Sequence, residues 1–177
     1  MPDFAIVDTH VHLYDPARLR QSWIDGNATL EGPHLLPDLD TARENVEIER
    51  IVFVEAGLDP GQHVREAAWI AELAKADPRL QGMVAAIPLE QGAAVRADLE
   101  QLAQHAILKG VRRLLHVEAD DQFCLQPSFI EGIRLLPAFD LSFDLCIYHH
   151  QLAIATELVR RVPLTRLFRV GFNLDAA

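Results

Sequence analysis

Residues 5–16, AIVDTHVHLYDP, decide the fold. An apolar run from Ala5 to Val7 gives way to Asp8, His10 and His12, so the segment reads as a buried β-strand running out into polar residues. After its first strand, a dinucleotide-binding open sheet carries a glycine-rich phosphate turn, whereas DTHVHLYDP contains no glycine. That favours a parallel barrel over a doubly wound sheet. Alternation along a strand puts Asp8, His10 and His12 on one face and Val7, Thr9 and Val11 on the other. Two imidazoles aimed the same way at a strand end can offer two nitrogens to one divalent ion. Carbonyls or carboxylates could satisfy them equally well.

Outward from this stretch, short runs rich in Val, Ile, Leu and Phe alternate with helical patterns, as in a parallel α/β fold. Strands are expected at Ala5–Thr9, Arg50–Glu55, Gly82–Ile87, Gly110–Leu115 and Leu141–Tyr148, with a weaker one at Arg166–Phe172. Helices are expected at Gln62–Ala76, Ala93–His105, Ser128–Leu136 and Gln151–Arg161. In the first of these, Val64, Ala67, Ala68, Ile70, Ala71 and Leu73 form the apolar stripe, while Arg65, Glu66, Glu72 and Lys75 face water; Asp77-Pro78 ends it. Leu19–Asp40, with Gly26, Gly32, Pro33 and Pro37, reads as a long loop. A closed eight-stranded barrel typically needs about 250 residues. The sequence has 177, which reads as one domain, 1–177, holding an incomplete parallel TIM-type (β/α) barrel of five to six β/α units.

The net charge of −10 offers a polyanion no attraction, and no basic stripe offsets it, so nucleic acid is not an expected partner. Cys124 and Cys146 lie in apolar surroundings with no ligand-like partner and read as reduced core residues. The start, MPDFAIVDTH, has no basic segment followed by a long apolar one, and no later run is long enough to span a bilayer. A cytoplasmic protein without membrane contact is the expectation.

Other candidates follow from the alternation. In KGVRRLLHV, residues 109–117, Arg112 shares a face with Gly110, Leu114 and His116, and a guanidinium facing the barrel interior would pair with a substrate carboxylate. Arg113 reads as snorkelling at the rim and His116 as the start of a loop. In LSFDLCIYHHQL, residues 141–152, Leu141, Phe143, Leu145 and Ile147 face the helices; Ser142, Asp144, Cys146, Tyr148 and His150 face inward. Asp144 would pair with Arg112 or join a structural network, and Tyr148 or His150 would meet substrate at the mouth. Glu55 reads as a loop carboxylate, Trp23 as a pocket-lining residue and Trp69 as a helix anchor.

In this order, DTHVHLYDP, ADPRLQGMVAAIPLEQG, LKGVRRLLH and LSFDLCIYHHQL resemble the amidohydrolase-related family of metal-dependent TIM-barrel hydrolases. The branch is that of fuconolactonase-like and 2-pyrone-4,6-dicarboxylate-lactonase-like proteins, and the likeness runs from Phe4 to about Pro163. The resemblance implies hydrolysis of a small lactone or related cyclic ester at the C-terminal ends of the strands. It makes His10 and His12 the first two metal ligands, for zinc or manganese, and Arg112 a contact to the substrate carboxylate. Some lactonases of this branch work without a metal, and the histidines would then orient substrate or water. His149 matches the histidine of a strand-five ending, while alternation favours His150, so both stand as catalytic candidates beside the substrate contacts Tyr148 and Trp23.

After ELVRRVP the family pattern continues with Asp-His, a glycine and a proline, then two further strands ending in an aspartate. This sequence reads LTRLFRVGFNLDAA instead, with no histidine after His150. The reading is therefore of a truncated or frameshifted enzyme. Its rivals are a chain that pairs with another copy through exposed sheet edges, a catalytically dead remnant, and a decarboxylase on the same scaffold.

Overall fold

Hydrophobic runs bounded by turn residues form strands wherever the sequence predicts them. In the computed structural model, which describes residues 4–173, the elements are β1 (Ile6–Val11), α1 (Leu36–Ala42), β2 (Ile48–Val54), α2 (His63–Ala76), β3 (Leu80–Ala86), α3 (Arg96–Leu102), β4 (Leu108–Leu114), α4 (Pro127–Ile133), β5 (Ser142–Tyr148), α5 (Leu152–Arg161) and β6 (Arg166–Asn173). The chain divides into two compact units, one of Met1–Ala85 with His105–Ile107, the other of Ala86–Gln104 with Leu108–Ala177. Among the described residues no helix is long and apolar enough to cross a membrane.

In the first unit β1 pairs with β2 and β2 with β3, all parallel, with Val11 opposite Phe53 and Phe53 opposite Met83. Ile51, Phe53 and Met83 are fully buried, so the alternate residues of β2 carry the core. α2 follows its predicted stripe with two corrections, the first being that Ala68, expected on the apolar face, is exposed. Glu66, expected to face water, is only 1% exposed, and its Oε1 accepts the Ala56 amide at 3.3 Å. The backbone leaving β2 needs an acceptor there, and a carboxylate on the first turn of α2 supplies it.

Asp40, at the end of the predicted loop, belongs instead to α1, a short helix with Pro37 in its first turn and Asp38 Oδ2 accepting the Leu35 amide at 2.8 Å. Asp40 accepts from Arg43 Nε and Arg79 Nη1, each at 2.7 Å, which holds its carboxyl far below the usual carboxylate range. Arg79 also donates to Asp77 at 2.6 Å, so one guanidinium ties α1, the end of α2 and the start of β3 together. The rest of the long loop is held as well. Tyr14 and His34 exchange backbone hydrogen bonds of 3.0 and 2.8 Å, and Tyr14, Ile24 and Ala56 form a small buried cluster with Leu30 against it.

In the second unit β4, β5 and β6 run parallel, with Arg112 opposite Asp144 and Leu114 opposite Cys146. Helix α4 packs on the 3-10 turn Leu89–Val95, and the approach is close enough that Gly132 lies directly against the Leu89 carbonyl. Phe123, Phe129 and Phe143 form an edge-to-face chain, with centroids 5.6 and 6.0 Å apart, which fills the space between α4 and β5. Arg113, expected to snorkel, is clamped instead. Its guanidinium pairs with Glu90 at 3.1 Å and Glu118 at 2.5 Å and lies over the Phe123 ring. Two carboxylates within reach outcompete water for a half-buried arginine.

Candidate active site

The first unit contributes the histidine pair. β1 ends at Val11, so His10 is its penultimate residue and His12 lies just beyond it, yet the two still share a face: their Nε2 atoms are 3.2 Å apart and their rings meet edge to face at 4.8 Å. His12 Nδ1 lies 2.9 Å from the Val54 carbonyl oxygen, which can only accept, so Nδ1 carries the proton and the Nε2 lone pair faces His10. On the other side, Asp8 Oδ1 accepts the His10 amide at 3.2 Å and fixes the backbone between them. Two nitrogens bound to one tetrahedral zinc through bonds of 2.0–2.1 Å stand about 3.3 Å apart. The observed separation fits that bite. Among the described residues no group of three or more His, Cys, Asp or Glu side chains is placed to hold a metal, and the pair by itself offers two nitrogens.

In the second unit, polar side chains line one face of β4 and β5. Arg112, 5% exposed, stands opposite Asp144, which is also buried. Burial pushes the Asp144 carboxyl up to about 6, against the pull of the Arg112 charge. Because the folded state holds this proton up to about pH 6 while the unfolded chain releases it near its ordinary value of 3.8, stability falls as pH rises through that window. Asp144→Asn removes this loss. We expect urea denaturation to show the variant equal to wild type near pH 4 and about 1–2 kcal/mol more stable at pH 7, once solvent screening is allowed for.

The same face continues to Cys146 and Tyr148. Cys146 Sγ lies 3.3 Å from His116 Nδ1, and the Tyr148 ring meets the His116 ring edge-on at 5.3 Å. Beyond Tyr148 the chain turns into a 3-10 helix, His149–Gln151. There the Gln151 amide donates to Asp121 Oδ1 at 2.9 Å and its Oε1 accepts the Tyr148 amide at 2.9 Å, so Gln151 pins the turn to the β4 loop. His150 stacks on Tyr148 with Nε2 3.5 Å from Asp121 Oδ1, and His149 meets the His150 ring edge-on.

A model of the amidohydrolase family matches residues 7–168. The chain belongs to that family. Among curated proteins, an uncharacterized protein y4mH of Sinorhizobium fredii (strain NBRC 101917 / NGR234) is 24% identical over 99% of this amidohydrolase chain and 65% of its own length. A Burkholderia multivorans amidohydrolase solved with bound zinc has a TM-score of 0.74 at 24% identity, covering 92% of this chain and 56% of that one. A protein described as a probable 2-pyrone-4,6-dicarboxylic acid hydrolase of Acinetobacter baumannii, solved with citric acid, has a TM-score of 0.67 at 12% identity, covering 92% and 57%. A 2,6-dihydroxybenzoate decarboxylase complexed with 2,6-dihydroxybenzoate has 0.65 at 13%, covering 96% and 66%. The amidohydrolase chain thus spans a little over half to two thirds of the proteins it matches, and its fold is the expected incomplete (β/α) TIM barrel.

Within this amidohydrolase, the histidine pair and the Arg112 and Asp144 face lie where alternation predicts, whereas other expectations need correction. Alternation cannot choose between His149 and His150, because the strand stops at Tyr148 and both residues sit on a 3-10 turn. Trp23 is 55% exposed, its indole Nε1 donating to the Ala56 carbonyl at 3.0 Å, so it covers the turn after β2. Glu55 is no surface carboxylate. It is 2% exposed, with Oε2 accepting the Gly57 amide at 2.7 Å in a turn whose left-handed φ of 66° suits glycine. Cys146 does have a ligand-like partner in His116, and that pairing is the feature least visible in sequence. Its one signal is that His116, just past the end of β4, continues the inward parity of that strand while Cys146 lies on the inward face of β5.

Proposed function

We propose that the amidohydrolase to which this chain belongs hydrolyses a lactone or related cyclic ester, with His10 and His12 as two ligands of a divalent ion, zinc or manganese. The observation that carries this reading is the convergence of the two Nε2 atoms at 3.2 Å, with the His12 tautomer set by Val54. Bound there, the ion would polarise the ester carbonyl and lower the pKa of a coordinated water.

The chain's own residues supply the rest. Arg112, buried and fixed opposite Asp144, offers a planar two-pronged donor to a carboxylate on the substrate, which holds the ring in one orientation. The Tyr148 and His150 rings, stacked at 5.6 Å, would form an aromatic wall, with His150 as the group that holds or passes a proton. His149 is the alternative proton carrier. Likeness to a protein described as a pyrone-dicarboxylate hydrolase supports a carboxylated lactone as substrate.

The test is zinc-dependent release of acid by the purified chain from sugar lactones and from 2-pyrone-4,6-dicarboxylate, one proton per ring opened. Activity lost in His10→Ala is the expected result. Release of carbon dioxide from a hydroxybenzoate without lactone opening would place the chain with the decarboxylases, whose fold it shares. A folded oligomer that does neither, with zinc added or withheld, would make it a non-catalytic module that associates through its sheet edges.

A further inference from the structure

We propose that Cys146 is a nucleophilic thiol activated by His116, a covalent-modification site for small soft electrophiles on the β4–β5 face. The thiol and imidazole are brought together by the strand register and held there. Leu114 lies opposite Cys146, and the amides of both Leu115 and His116 donate to the Cys146 carbonyl at 3.2 Å, so the end of β4 cannot slide past this point. With the backbones tied, Sγ lies 3.3 Å from Nδ1, within hydrogen-bond range for sulfur, and Tyr148 fixes the plane of the imidazole from its edge. Cys146 and His116 are each only partly buried, so a small reagent can reach the sulfur. Arg112 and Asp144 face each other one step along the same strands, so their charges offset and the activation rests on His116.

The same unit carries its own control. Cys124 is 3% exposed, and burial pushes its thiol up to about 11, which leaves it inert. With an alkyl iodide as electrophile the step is a simple displacement. The thiol proton passes to His116 Nδ1, a sulfur lone pair forms the S–C bond, and the C–I bond breaks with iodide taking the electron pair. The imidazolium then gives the proton to water.

The experiment is a time course with iodoacetamide at pH 7 on the folded chain, read by peptide mass spectrometry. Cys146 is expected to label about ten-fold faster than the same cysteine in the guanidinium-unfolded chain, while Cys124 stays unlabelled. His116→Gln should return Cys146 to the unfolded rate or below it with Cys124 still protected. If Cys124 becomes reactive in the variant, the variant has unfolded, and the comparison of folded with unfolded wild type decides alone. A folded Cys146 no faster than the unfolded one, or a rate unmoved in a folded His116→Gln, would overturn the proposal.

Discussion

Gly132→Ala is expected to destabilise the second unit by about 3 kcal/mol or more, the cost of overpacking where nothing can rotate away. A Cβ at this position would overlap the Leu89 carbonyl oxygen and come within 3.0 Å of its carbon and 3.1 Å of its Cα. All three are backbone atoms of the turn on which α4 rests, so relief requires the helix to move off that turn. The intrinsic preference of a helix for alanine over glycine works in the opposite direction but is worth only about 1 kcal/mol. The clash therefore decides the sign. Gly32→Ala is the control, because a Cβ there meets nothing within 4 Å and the position has no left-handed φ; its effect should stay within about 0.5 kcal/mol. Thermal or chemical denaturation of both variants measures the contrast, and a Gly132→Ala chain as stable as wild type would show that α4 is not seated as described.

The second large effect concerns the histidine pair. His10→Ala and His12→Ala are each expected to weaken zinc binding by more than about 100-fold, since removing a donor should cost more than removing a partner that merely orients one. The two variants are not equivalent. His12 is pre-set by the Val54 carbonyl, so its loss removes the nitrogen with a fixed tautomer, whereas His10 is placed by its amide bond to Asp8 Oδ1. Equilibrium dialysis against zinc reads this without any need for turnover. Unchanged affinity in both variants would remove the pair from the metal site and leave it a structural contact.

What sequence reveals here is face, and what it conceals is partner. Alternation places His10 with His12 and Asp144 with Cys146, because the two-residue period of a strand is local. The opposition of Arg112 to Asp144 and of Leu114 to Cys146 depends on how two strands slide against each other, which no local period encodes. That is why Cys146 reads as a core cysteine and His116 as a loop residue. Glu66 follows the same logic: its place on α2 is set by the helical period, but its burial answers an amide left over by the turn after β2. Helix ends are blurred for a further reason. The stretches ahead of α3 and after α4 close as 3-10 turns, Leu89–Val95 and Leu136–Phe139, whose tighter winding leaves no clear 3.6-residue period to read.

The distribution of rare side chains gives the two units separate reporters. The chain has two tryptophans, Trp23 and Trp69, both in the first unit, and two cysteines, Cys124 and Cys146, both in the second. Indole emission thus follows the unit that holds the histidine pair, and in particular Trp23, half in water and bonded to the turn after β2. Thiol accessibility follows the other. An optical signal and a chemical one, recorded on the unmodified chain during a single unfolding titration, therefore watch different halves of the molecule.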